Sequence, residues 1–237
     1  MKLKTDHGII ENLQIVRTQQ NILYSPHIKE AAGASAVIFA VAGMGAAAVQ
    51  TSANSEGGAD EVDMYSFDIN GAQYAGCTRV AGFKNGDEIE LVYEDREQGA
   101  EVLGLRRSST RSIWLYPYMS RGSIAGIISG IISGIKLWLV FSSSVIVGIL
   151  LLAAIAWEGG LPIHVVVDIT AMGFALTAIG VSWMLPRLYR FSIAANKVFT
   201  AFGFENPKWV DLHKTSKAFR KKNNVPWNEG SGLELWY

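Results

Sequence analysis

His7, His27, His164 and His213 stand alone in the sequence, with no cysteine or carboxylate at metal-ligand spacing. No phosphate-binding loop, nucleophile elbow or paired-histidine zinc motif is present. Cys77 is the one thiol, which excludes an internal disulfide. Asp87, Glu88, Glu90, Glu94, Asp95 and Glu97 form an acidic run without the calcium-loop pattern, and read as a solvated strand and turn. Gly43, Gly45 and Ala48 match G-x-G-x-x-A after an apolar run. Residues 52–61 (SANSEGGADE) break the helix that a dinucleotide site needs, and no second β-α-β unit follows. These residues point to no catalytic group, no cofactor and no metal.

The spacing offers a contact surface instead. Gly122, Gly126, Gly130 and Gly134 recur every fourth residue, with Ala125, Ser129 and Ser133 in a small-residue row beside them. Ile124, Ile127, Ile128, Ile131, Ile132 and Ile135 cover the other face. On a helix this makes a flat strip of backbone opposite an isoleucine ridge, the pattern by which helices approach closely in lipid. Each interior glycine costs a helix about 1 kcal/mol relative to alanine, so the strip is there for contact and not for propensity. Its partner is the chain's own neighbouring helices or a second copy; a β-aggregating stretch is the third reading.

Residues 137–157 then run without a charge, enough to cross a hydrocarbon core about 30 Å thick. Lys136, Trp138 and Trp157 mark its interfaces. Residues 169–186 predict a second span, bounded by Asp168 and by Arg187 and Arg190. Gly-Gly and Pro162 turn the chain between them, giving a helical hairpin. Ser142, Ser143 and Ser144 in the first span, with Asp168 at the start of the second, are the candidate polar path; the hydroxyls can equally bond back to helix carbonyls. Lys and Arg flank the hairpin and are absent from its loop, which predicts cytoplasmic flanks for translocon insertion. One straight helix over residues 122–157 would be about 54 Å long, so either the glycine strip lies at the interface or it spans and Lys136 is inside a bundle.

The 237 residues carry 21 basic and 21 acidic groups. Residues 1–136 hold 12 and 15 of these, residues 137–186 none and two, and residues 187–237 nine and four. With 18% charged residues and no net charge, neither a nucleic-acid binder nor a disordered chain is indicated. Short alternating runs at 8–17, 62–69, 72–79, 88–94, 101–107 and 112–116, with turns at Asn70-Gly71, Asn85-Gly86-Asp87 and Gln98-Gly99, predict hairpin-linked strands. Residues 22–24 are expected to pair back on the first of these runs. The expected fold is an α+β membrane protein. Residues 1–30 and 56–118 form a small β-barrel or sandwich of the SH3 or OB kind, interrupted by an Ala/Gly-rich apolar insertion at 31–55. Residues 119–190 hold the glycine strip and the transmembrane hairpin, and 191–237 a basic aromatic tail. In that tail Lys214, Lys217, Arg220, Lys221 and Lys222, with Trp209, Phe219 and Trp227, suit anionic headgroups or simply solvent.

The chain resembles a family of type VI secretion system effectors of Gram-negative bacteria. The resemblance is carried by Gly8-Ile9-Ile10-Glu11, the Ala/Gly-rich residues 31–48, and Phe83 with Asn85-Gly86-Asp87-Glu88-Ile89-Glu90-Leu91-Val92. Ile113-Trp114-Leu115-Tyr116-Pro117 followed by Ser120-Arg121-Gly122 is its most specific block. Tyr118-Met119 stands where the family leads one to expect His-Cys. The resemblance implies a non-enzymatic toxin at the inner membrane of a competitor cell, a secretion-apparatus component that delivers it, and a cognate immunity protein. Oligomerisation and a pore or depolarisation would be its action on the lipid bilayer, with no nucleic acid and no small-molecule substrate. The alternative is a resident inner-membrane protein whose cytoplasmic β-domain scaffolds partners.

Overall fold

The computed structural model describes residues 2–20, 22, 60–96, 99–156, 163–223 and 235–237. The insertion expected at 31–55, Trp157 and all but Ile22 of the run at 22–24 lie outside the described residues. The strands are β1 (Leu3–Ile9), β2 (Glu11–Gln20), β3 (Asp60–Ile69), β4 (Ala72–Thr78), β5 (Glu88–Arg96), β6 (Gly99–Arg107) and β7 (Ser112–Leu115). Two long helices follow, α1 (Ser123–Ala156) and α2 (Ile163–Ala201), then α3 (Leu212–Asn223) and the two-residue β8 (Leu235–Trp236). This is a mixed α+β chain in two units. One is Met1–Ser123 together with Arg190–Tyr237, the other Ile124–Tyr189.

In the first unit the strands lie in the order β1-β5-β6-β4-β3-β2, with β7 beside β6 and β8 beside β7. Asn70 and Gly71, at φ 52 and 78, close the two-residue turn that brings Ile69 opposite Ala72, as the Asn-Gly signal predicts. Two features depart from a plain series of hairpins. Residues 8–17 read as one strand, but the run breaks at the buried Ile10. Its N–H donates to the Asp87 carbonyl at 3.0 Å and its own carbonyl accepts from the Gly86 N–H at 2.9 Å. The residues before it therefore pair with β5 and those after it with β3. The second departure is β4 against β6, a parallel pairing that sets Ala75 opposite Glu101. Residues 79–87 carry the chain past β6 to reach β5, a crossover that local turn signals do not encode.

Aromatic side chains dominate the core. Phe83 meets Trp114 at 5.4 Å and 77°, and Tyr65 at 5.0 Å and 87°, the edge-on geometry that ring quadrupoles favour. Full burial of one such ring contributes about 1.5–3 kcal/mol by transfer alone. Glu101 is only 2% exposed, with its carboxylate 2.5 Å from the Arg96 guanidinium. Burial pushes its pKa up to about 7, against the pull of Arg96.

The expected separate tail from residue 191 is instead part of this unit. Phe191, Ala194, Ala195, Val198, Phe199 and Phe202 are all buried, at the i, i+3, i+4, i+7, i+8, i+11 spacing of a helix face. Gly104 on β6 is the close approach: a Cβ there would come within 3.0 Å of side-chain atoms of Phe202, Leu115 and Val198. Arg106 donates to the Phe202 carbonyl at 2.9 Å, satisfying a helix-terminal acceptor, and lies over the Phe202 ring. Gly203, at φ 77, ends the helix. Its N–H bonds the Thr200 carbonyl, and the Phe204 N–H bonds the Phe199 carbonyl while the two rings pack at 5.4 Å. Replacing Gly104 by Val is expected to destabilise this unit by about 1–3 kcal/mol, because three side chains must give way. Denaturant unfolding in mild detergent, followed by near-ultraviolet circular dichroism, measures it.

Candidate membrane-inserting site

The second unit is built from α1 and the front of α2. Among the described residues one helix is long and apolar enough to cross a membrane, Ser123–Val145. It begins well before the expected residue 137 and takes in the small-residue strip and Lys136, which is exposed. None of its apolar window is buried. Leu137 and Val140 are 64% and 65% exposed, and Ile128, Ile131, Ile132 and Ile135 form an exposed ridge. Gly126, Gly130, Gly134 and Ser129 are half-buried, Ala125 is buried and Ser133 is exposed. In water such a surface is costly; it matches hydrocarbon or another apolar surface.

The counterpart expected at 169–186 contributes an apolar stretch at Thr170–Gly180, shorter than a full crossing at 1.5 Å per residue. Met172, Phe174, Leu176 and Ile179 on it are exposed. Trp138 meets Phe174 edge-on at 5.6 Å and 85°, so the two helices touch within this unit. Asp168 is not at the start of its helix, because α2 begins at Ile163 and runs through it; the carboxylate side is exposed. Pro186 lies inside the same helix and removes one backbone donor. The Ser143 hydroxyl donates to the Leu139 carbonyl at 2.6 Å and that of Ser144 to Val140 at 2.9 Å, so both bond back to their own helix. The Ser142 side chain lies outside the described residues. Arg187 is half-buried, and Arg190 lies over the Phe191 ring at 4.9 Å.

Gly122 is not a rung of the strip. It precedes α1, and its N–H donates to the Val210 carbonyl at 2.9 Å. A Cβ there would sit 2.1 Å from the Pro207 oxygen and 2.7 Å from backbone atoms of Lys208. Around it the first unit forms a neck that sequence reasoning missed. The Leu212 N–H donates to the Ser120 carbonyl at 3.1 Å, and Arg121 pairs with Asp211 at 3.3 Å. Ser123 and Asn196 bond each other twice, from the Ser123 N–H and from the Asn196 amide, both at 2.9 Å. The Ser120 hydroxyl is 2.8 Å from His213 Nε2. Burial and the Arg121 charge lower the His213 pKa, with Asp211 opposing, which favours the neutral ring at this hydrogen bond.

Away from the neck, two further groups of titratable side chains offer no reactive centre. Burial raises the Cys77 thiol well above its ordinary value, which makes it a poor nucleophile. An open cleft at Thr5, Asp6, His7, Glu88 and Glu90 has Asp6 taken by Tyr74 and Glu90 by Arg106. Among the described residues no group of three His, Cys, Asp or Glu is placed to hold a metal. Comparison with protein-family models, with curated proteins and with solved structures returns no match.

Two expectations follow for the neck. Gly122→Ala forces the backbone at 207–208 to move, and is expected to raise hydrogen exchange at the Leu212 and Gly122 amides by an order of magnitude or more. His213 titrates in a definite direction. Its folded pKa is lowered, so its contribution is complete above the unfolded value of 6.5 and is lost as pH falls below it. The melting temperature should therefore drop between about pH 7.5 and about pH 5.5, and His213→Gln should flatten part of that drop. Parallel profiles for the two proteins would remove His213 from the titration.

Proposed function

We propose that the chain is a membrane-inserting effector of the type VI secretion class, which acts without catalysing a reaction. It assembles in the inner membrane of a target bacterium through Ala125, Gly126, Ser129, Gly130, Ser133 and Gly134, and permeabilises or depolarises that membrane. The observation that carries the reading is Ser123–Val145, a helix of spanning length with none of its apolar window buried, with small residues on one side and isoleucines on the other. Lys136 within it supports assembly, because a charge at span depth needs a bundle interior or an aqueous path. The membrane class rests on this helix. The secretion class and the immunity and delivery partners rest on the sequence resemblance alone.

Chain topology supports a hairpin. The excursion over Ile124–Tyr189 leaves from one folded unit and returns to it, so it crosses a bilayer an even number of times or not at all. If α1 crosses, α2 supplies the return, with the connection between them on the far side and both flanks on one face. The basic residues Arg121, Arg187 and Arg190 at those flanks favour the cytoplasmic face. We further infer that the strands close as a small barrel of the SH3 or OB kind. β1 and β2, at opposite ends of the strand order, are joined by Ile10 alone.

Expression in a sensitive host, with and without export to the periplasm, tests the action by a potential-sensitive dye. Loss of potential within minutes of induction is expected from at least one compartment. Gly126→Leu with Gly130→Leu is expected to abolish it while the protein still fractionates with membranes. An unchanged potential with inserted wild-type protein overturns the toxin reading. It leaves a resident membrane protein whose two flanks build one scaffold domain, which the shared unit of residues 1–123 and 190–237 independently favours.

A further inference from the structure

We propose that the exposed face of α3 is a docking surface for the anionic headgroups of the membrane that the chain inserts into, an inference that rests on the membrane-inserting reading above. The helix buries Leu212, Ser216 and Arg220, which follow one another at four-residue intervals along one side. Lys214, Lys217 and Lys221 lie away from that side at i, i+3 and i+7, a single stripe on a helix, and all three are exposed. Lys222 flanks them, and the helix contains no acidic residue. Among the described residues none of the three ammonium groups has an ion-pair partner. Among the described residues the stripe is a concentrated positive surface without an ion-pair partner.

Its place selects the occupant. Asp211 accepts from the Lys214 N–H at 3.3 Å and caps the helix, while the same carboxylate holds Arg121. The Leu212 N–H on Ser120 and the Gly122 N–H on Val210 fix the start of α3 to the three residues that immediately precede α1. The lysines are thereby tied to the point where the chain leaves the β-unit for its apolar excursion, and the field of a charged bilayer surface extends about 10 Å into solution. Lysine is a flexible point charge that pairs with phosphate without a fixed fork, as a fluid array of headgroups requires. Each lysine near an anionic surface strengthens local association about fivefold, and three together roughly 100-fold.

The test uses the full chain reconstituted in vesicles, with an environment-sensitive fluorophore on Ala218→Cys, beside the stripe, or on Val140→Cys in α1. Cys77 is buried and takes no label. Acrylamide, a neutral aqueous quencher, reads exposure in phosphatidylcholine alone and with about 30% phosphatidylglycerol. Quenching at position 218 is expected to fall about threefold in the anionic vesicles, and to recover in about 1 M salt. It should also recover in Lys214→Glu, Lys217→Glu, Lys221→Glu, whose insertion is verified at position 140. Equal quenching at 218 in both lipids, with 140 protected, overturns this inference and leaves the membrane reading standing. Strong quenching at 140 in both lipids overturns the two together. Protection at 218 in neutral vesicles on adding soluble RNA or inorganic phosphate, with none from anionic lipid, overturns the assignment to headgroups.

Discussion

The backbone contact at Gly122 is the constraint on which the organisation of the molecule depends. With no Cβ in the way, the carbonyl of Pro207 and the backbone of Lys208 lie against it, and Val210 and Leu212 hydrogen-bond to the strand of chain at 120–122. A segment beyond α2 is thereby fixed to the residues just before α1. The β-unit is therefore assembled from both sides of the helical excursion, and is complete only when residues 190–212 have returned to it. The entropic cost of closing so long a connection falls sharply when the connection is itself ordered and brings its ends together, as a pair of touching helices does.

The return half of α2 illustrates how that closure is made. Six buried apolar positions run from Phe191 to Phe202, just past its end, and the absent side chain of Gly104 lets them approach β6. Arg106 and the left-handed Gly203 then consume the carbonyls that the end of the helix leaves open. Along the front half the balance of forces is different. There the helices expose isoleucine, leucine, valine and phenylalanine, and a strip of small residues offers close van der Waals approach with nothing hydrophobic to bury in water. The same helix α2 thus packs an apolar face on the sheet at its end and exposes apolar side chains along its front half.

The candidate site was legible in part. The two-residue turn at Asn70-Gly71 and the apolar strip at Gly126, Gly130 and Gly134 depend on neighbours in sequence, so local pattern reveals them. Gly122 continues the same four-residue spacing, yet its glycine is required by Pro207 and Lys208, a contact that sequence distance hides. The apolar stripe of α2 was present in the sequence too. Two of its six members are alanines, Arg190 precedes it and Lys197 falls within it, so its periodicity was masked by a basic composition that reads as a solvated tail. The lysines of α3 were visible as a cluster; that three of them share one exposed stripe, pinned to residues 120–122, was not.

By itself the sequence determined the local grammar: short strands with tight turns, a long uncharged helix, and no group with catalytic or metal-binding spacing. These follow from dihedral preferences and hydrophobic periodicity, which act over a few residues. Only the tertiary structure decided the partners. The break at Ile10, the parallel pairing of β4 with β6 and the return of residues 190–223 to the β-unit arise from contacts between distant segments, where steric fit at Gly104 and Gly122 selects one packing. A glycine looks the same in sequence whether it serves a helix face or a backbone crossing, because what it admits is the atom it lacks.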